Sequence, residues 1–338
     1  MLQHLTQSAY KQGKRLVAPL MGFPGLTLTK STIKLAQQNY SEHFQVVKAL
    51  ADTFKPDALF PLMDLSVEAN ALGCYTVFPK QESATVLKDV LNAEMITSFD
   101  KINIAADMRL LGYVETAKLM SHGLPSSVLR GAYVVGPYTL SALLMGADEA
   151  ALATISETVV LHSLCQIAVR KIEQYVQLLL TAGVQLICFL EPSAVMLGPQ
   201  QFQEFSAQYV RRVVDQCRLR GIATVYHICG NSTHLINGMV NSGVSALSLD
   251  SAAAGVDLPA IARRISQNVI LIGNISPVGS LLHGTPADVQ RDVLFLLKQM
   301  DLYSNFILST GCDLPQEIPL ENLDAFMRTG RDYIVSKR

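Results

Sequence analysis

The sequence predicts an α/β fold, a single (β/α)8 barrel domain spanning residues 1–338. Three observations point to it. Short apolar runs recur along the chain, longer helical patterns separate them, and the runs number eight, enough for a ring to close. A doubly wound open sheet is the alternative, but no G-x-G-x-x-G follows the first run.

Taken in order, the candidate strands are LVAPLM (16–21), ALFPLM (58–63), RGAYVVG (130–136) and QLICFL (185–190). IATVYHI (222–228), VSALSL (244–249), VILIGN (269–274) and NFILST (305–310) complete the set. Each is short and rich in Leu, Ile, Val or Phe, as strands covered on both faces are. Helical patterns occupy 147–182, 199–220, 258–267, 286–300 and 320–335. TPADVQRDV and PLENLDAF open with proline and acidic residues, which suit the first turn of a helix. Extra N-terminal helices are expected, and the long excursion 65–129 after the second strand should hold further helices and a small hairpin.

Composition excludes several classes of function. With 27 Lys and Arg against 28 Asp and Glu, the chain has no basic footprint for nucleic acid or an anionic membrane. The start, MLQHLTQSAYKQGKR, lacks the apolar core of a signal peptide. The most apolar stretch, VQLLLTAGVQLICFL, is broken by Gln177, Thr181, Gly183 and Gln185, so no membrane span is expected. Six scattered cysteines do not form a disulfide framework, and a reduced, cytoplasmic setting follows as the expectation. A homodimer is left open.

Reduced thiols are free to bind metal, and VYHICGN places two good ligands at the end of the fifth strand. Residues two apart on a strand face one side, so His227 and Cys229 point together, at the carboxyl end where barrel active sites gather. An isolated H-x-C is more often a core histidine beside a buried thiol. Cys312, in FILSTGCDLP, stands at the matching end of the eighth strand, and Gly311 before it lets the backbone approach closely. His, Cys and Cys suit zinc and leave a position open for substrate.

Further candidates close other strands. Glu191 in FLEPS is either a fourth zinc ligand or a helix-capping or loop carboxylate beside Pro192. Asp64 in LMDLS reads as cavity-lining and a candidate for substrate contact. Asp250 in SLDSA and Asn274 in IGNISP either orient a zinc ligand from behind or bond loop amides. Cys74, Cys165, Cys188 and Cys217 read as core residues. The stretches LMGFPGLTL and GPYTLSALLMG offer an apolar rim to the barrel mouth, or ordinary packing beneath it.

The segments MDLSVEANALGCYTVFP, GAYVVGPYTLSALLMG, YHICGN and LSTGCDLPQEIPLENLDAFM resemble the uroporphyrinogen decarboxylase superfamily over about residues 15–327. Within it they look like the methylcobamide:coenzyme M methyltransferases and related corrinoid-dependent enzymes. That resemblance implies a catalytic zinc held by an H-x-C…C motif falling on His227, Cys229 and Cys312. It further implies a methylcobamide (corrinoid) carried by a partner corrinoid protein as methyl donor, and a small thiol such as coenzyme M as acceptor. The decarboxylase branch does not share the motif, and its arginine-rich signature is replaced here by RLVAPLMGFPGLTLTK. Two other readings remain: a tetrapyrrole decarboxylase needing no metal, and a non-catalytic barrel that binds a corrinoid protein.

Overall fold

Alternating residues on seven parallel strands frame this chain, whose computed structural model describes residues 1–88 and 91–336. In chain order the strands are β1 (Ala58–Leu59), β2 (Thr76–Val77), β3 (Thr85–Val86), β4 (Leu129–Val135), β5 (Leu186–Leu190), β6 (Ala223–Ile228), β7 (Ala246–Leu249), β8 (Ile270–Ile275) and β9 (Phe306–Thr310). β2 and β3 pair only with each other, antiparallel, as the small hairpin expected within 65–129. The other strands form one parallel sheet in the order β1-β4-β5-β6-β7-β8-β9.

The ring is closed by a segment that is barely a strand. The run expected as the first strand, 16–21, makes a single parallel bridge, Val17 to Leu308. Ala18 N donates to Leu308 O at 2.9 Å and Leu308 N to Leu16 O at 3.0 Å, while Asp57 N donates to Val17 O at 3.0 Å. Val17 N in turn donates to Asp57 Oδ2 at 2.6 Å. This segment therefore joins the two edges of the sheet. Pro19 shortens it, and Pro61 likewise cuts the expected 58–63 strand to two residues, because proline has no N–H to give the ladder.

Side-chain alternation along the strands builds two cores. Leu186, Cys188 and Leu190 of β5, Ala223 and Val225 of β6, Ile270 and Ile272 of β8 and Ile307 of β9 pack together inside the barrel. Leu2, from the N-terminal helix Leu2–Lys11, joins them. The intervening residues, among them Ile187, Phe189, Tyr226, Leu247, Leu271 and Leu308, face outward against the helices.

The N-terminal helices run Leu2–Lys11, Pro24–Thr29, Ile33–Gln38 and Tyr40–Phe54, and the excursion holds Val67–Ala71, Ala93–Lys101 and Met108–Gly123. The expected helix 147–182 is two, Ala147–Ser156 and Thr158–Thr181, broken at Glu157 where the backbone leaves helical angles. The 199–220 helix is interrupted by a wide turn over Gln203–Ala207. The two stretches proposed for an apolar rim are packed rather than exposed: Pro24, Gly25 and Leu26 are buried, as is all of Pro137–Met145 except Leu143. Among the described residues, no helix is long and apolar enough to cross a membrane.

Candidate metal centre

Period-two alternation on β6 carries His227 onto the inner face above Val225, and Cys229 follows on the same side just past the strand end. Cys312 arrives from the other side of the ring, two residues beyond β9. The three ligand atoms lie within 4.8 Å of one another, the one such group among the described residues. His227 Nε2 is 3.1 Å from Cys229 Sγ, Cys229 Sγ is 3.0 Å from Cys312 Sγ, and Cys312 Sγ is 3.6 Å from His227 Nε2. Cys165, Cys188, Cys217, Cys229 and Cys312 are free thiols.

These donors fit zinc. A tetrahedral ion bonded at about 2.3 Å to sulfur and about 2.0 Å to nitrogen needs ligand separations of roughly 3.5–3.8 Å, so the triangle must open by less than about 1 Å. His227 Nδ1 lies 3.0 Å from Ser248 Oγ. With the ring proton donated to that hydroxyl, the Nε2 lone pair is left facing the sulfurs. Ser248 is opposite His227 in the β6–β7 register and fully buried. Sequence reading missed it, because register is what makes it a neighbour.

Electrostatics favour a cation here. Burial acts to lower the His227 pKa, yet the hydrogen bond with Cys312 and the charges of Cys312, Asp250 and Asp313 outweigh it and hold the imidazole above its ordinary value. The Cys312 thiol is pushed up by its hydrogen bond with Cys229 and by burial. Asp313, buried beside it, is raised to about 7 by loss of solvent. His227, Cys229 and Cys312 would hold a divalent ion, whose charge would favour the deprotonated form of both sulfurs.

Of the further candidates, Asp250 and Asn274 support the triangle, whereas Glu191 and Asp64 turn away from it. Asp250 Oδ2 accepts from Gly230 N at 2.6 Å and Oδ1 from Ser251 N at 2.6 Å, which fixes the backbone directly after Cys229. Asn274 Nδ2 donates to Asp250 O at 2.8 Å and to Val256 O at 3.2 Å, so it braces that loop in turn. Gly311 is a necessity of space: a Cβ there would meet Ser251 N at 2.5 Å. Removing that Cβ lets the Cys312 loop lie against the Asp250 loop.

Glu191 does not join the ligand triangle. Leu190 faces inward, so the next side chain faces outward, and its carboxylate is wholly buried at the start of helix Pro137–Met145. It accepts from Tyr138 N at 3.0 Å, Thr139 N at 2.8 Å and Ser206 Oγ at 2.6 Å. Gly136 leaves it the space, since a Cβ there would lie 2.1 Å from Oε2. Burial raises the Glu191 pKa against those hydrogen bonds. Asp64 stands in the loop beyond β1 and does not join the triangle either. It is paired with Arg109 and accepts from Tyr113 Oη at 2.6 Å and Ser66 Oγ at 2.7 Å.

Comparison with known proteins places this barrel. The methylcobamide:CoM methyltransferase MtbA of Methanosarcina mazei is 27% identical over 276 residues, covering 80% of this chain and 78% of that protein. A uroporphyrinogen decarboxylase of a Synechococcus species is 25% identical over 289 residues, covering 83% of this chain and 80% of that protein. Among solved structures, a methyltransferase from Methanosarcina mazei superposes with a TM-score of 0.82 at 20% identity, covering 97% of each chain, which shows the shared fold. The profile of Uroporphyrinogen decarboxylase (URO-D) matches residues 27–333, and this chain belongs to that family.

Proposed function

We propose that the chain is a zinc-dependent methyltransferase, moving a methyl group from a methylated corrinoid carried by a partner protein to a small thiol, with coenzyme M as one acceptor to test. The observation that carries this reading is the cluster of His227, Cys229 and Cys312 at the carboxyl ends of β6 and β9. The methylcobamide:CoM methyltransferase among its relatives supplies the substrate class. A decarboxylase is the competing reading, because members of that kind match nearly as well. It would need cations to hold several carboxylates. Arg15 and Arg130 stand instead at the start of their strands, Arg15 bonded to the carbonyl oxygens of Met300, Asp301 and Tyr303. Arg109 is paired with Asp64, whose carboxylate does not belong to the ligand triangle.

Bound zinc would hold a thiol as its thiolate near neutral pH, the nucleophilic form. The chain's own part is to position and exclude. Two cysteine ligands offset the metal's charge, Ser248 fixes the His227 ring, and the Asp250–Gly230 contact holds Cys229 in place. The apolar barrel interior beneath keeps water away from the reacting pair.

The test is turnover of zinc-loaded protein with methylcobalamin and a panel of thiols that includes coenzyme M. Loss of methylcobalamin with formation of the methylated thiol is expected, and Cys312→Ser should abolish it. Absence of transfer to every thiol, together with decarboxylation of uroporphyrinogen, would overturn the reading.

A further inference from the structure

On the outer side of β1 a cleft of about 480 Å³ opens between the helices Ile33–Gln38 and Met108–Gly123. Its wall contains hydrogen-bonding atoms with no partner in the protein. Gln37 is 3% exposed, and neither Oε1 nor Nε2 of its amide is bonded. Arg109 uses Nη2 for Asp64 and for Ser66 Oγ, leaving Nε and Nη1 unbonded although they too are buried. Native proteins rarely leave buried polar groups unpaired, because each forgoes the hydrogen bonds it made with water. Four such atoms on two side chains lining one cleft call for a common partner.

The balance of the unmet groups describes that partner. Arg109 Nε and Nη1 and Gln37 Nε2 are donors, whereas Gln37 Oε1 alone is an acceptor. His43, which also lines the cleft, adds no positive charge. Its Nε2 accepts from Leu62 N at 2.9 Å, and burial lowers its pKa to about 4. Phe78 lies over the guanidinium, with Arg109 Cζ 4.7 Å from its ring, and the exposed Met108 stands on the rim. The wall thus offers a guanidinium already paired with Asp64, an excess of N–H groups beside it and apolar surface, with Glu115 the other charged residue of the lining.

We propose that this cleft is a second small-molecule site, which binds an organic acid through Arg109 and Gln37. A carboxylate supplies the acceptor oxygens that Arg109 and the Gln37 NH2 lack, and its carbon body covers the Phe78 and Met108 surface. The site is separate from the metal centre. Leu62, bonded to His43, packs outside the barrel with Leu26, Ile33, Ala36 and Val46, whereas the metal ligands stand over the inner cluster. Through Arg109 and Asp64 the ligand would touch the chain just beyond β1 without entering the barrel.

Acetate, succinate and benzoate titrated into the full-length protein test this, with binding read by calorimetry and by the shift in melting temperature. Saturable one-site binding of at least one of them is expected, equal before and after zinc is stripped by a chelator. Arg109→Lys should weaken it about tenfold or more, since an ammonium replaces the guanidinium fork. Gln37→Leu should weaken it similarly while melting, without ligand, at or above the wild-type temperature, because an unpaired amide is exchanged for an apolar group of like size. Failure of all three acids to bind, binding that disappears with the zinc, binding unchanged in Gln37→Leu, or a Gln37→Leu protein that melts well below wild type would each overturn the proposal.

Discussion

Cys229 and Cys312 are 83 positions apart in the chain, yet their sulfur atoms lie 3.0 Å from each other across the top of the barrel. Closing the ring through Val17 and Leu308 is what brings the loop after β9 round to the loop after β6. The first prediction rests on that pair. Purified protein should hold about one zinc per chain by mass spectrometry of the metal, and Cys229→Ser or Cys312→Ser should lose it, because an alcohol is a far poorer zinc ligand than a thiolate. Circular dichroism of both variants should match wild type, since the two core clusters do not include either sulfur. A wild-type protein that takes up no zinc on reconstitution would sink the proposed function.

Ser248 offers a subtler test. Its hydroxyl is 3.0 Å from His227 Nδ1 and sets the direction of the ring. Ser248→Ala should keep one zinc site but weaken it roughly 10–100-fold in a chelator competition, the usual effect of losing such an orienting partner. An unchanged affinity would mean that the imidazole is held by packing alone.

Gly311→Ala should act through the backbone. The added methyl would meet Ser251 N at 2.5 Å, so the Cys312 loop must move away from Asp250. A loss of about 1–3 kcal/mol in stability is expected from such overpacking, with zinc affinity falling alongside. Denaturant melts with and without zinc check both parts.

Glu191→Gln separates a ligand from a helix anchor. Its carboxylate accepts hydrogen bonds from Tyr138 N, Thr139 N and Ser206 Oγ and lies outside the ligand triangle, so zinc content should be unchanged while melting temperature shifts. X-ray absorption at the zinc edge should count two sulfurs without a thiol and three with one, in wild type and variant alike. Loss of zinc in Glu191→Gln would return the carboxylate to the metal.

Glu68 gives a pH signature. Burial raises its pKa from 4.5 to about 7, against the hydrogen bond that its Oε1 accepts from Val135 N at 2.8 Å. A raised folded-state value means that the protonated form is favoured by folding. The stability it contributes is present below the unfolded pKa and is lost as pH climbs through about 7. Glu68→Gln should flatten that fall, which should be on the order of 1–3 kcal/mol between pH 4.5 and 7.5. Urea melts of the two proteins across that range measure it, and parallel curves would exclude Glu68 as the source.

Much of the plan was legible in the chain. Runs of Leu, Ile, Val and Phe at strand length predicted eight strands, because residues buried on both faces must be apolar throughout; seven pair in the parallel sheet, and the first makes only the closing bridge. The H-x-C spacing placed His227 and Cys229 on one face through the two-residue period of a strand. That period also bore on Glu191, which follows the inward Leu190 and therefore points out, but not on Asp64, which lies in the loop beyond β1. Reading Asp64 as cavity-lining, and Glu191 as a zinc ligand rather than as a helix-capping or loop carboxylate, rested on their positions at strand ends.

Tertiary structure decided the rest. Which serine sits behind His227 depends on the register between β6 and β7, a matter of backbone pairing that local sequence does not encode. The burial of Gln37 and Arg109 depends on how helices from the N-terminal region and the excursion meet outside β1, contacts spanning dozens of residues. Sequence alone determined the candidate ligand types and the barrel, since composition and periodicity are local properties. The triangle of His227, Cys229 and Cys312 exists only because ring closure brings distant strand ends to one mouth.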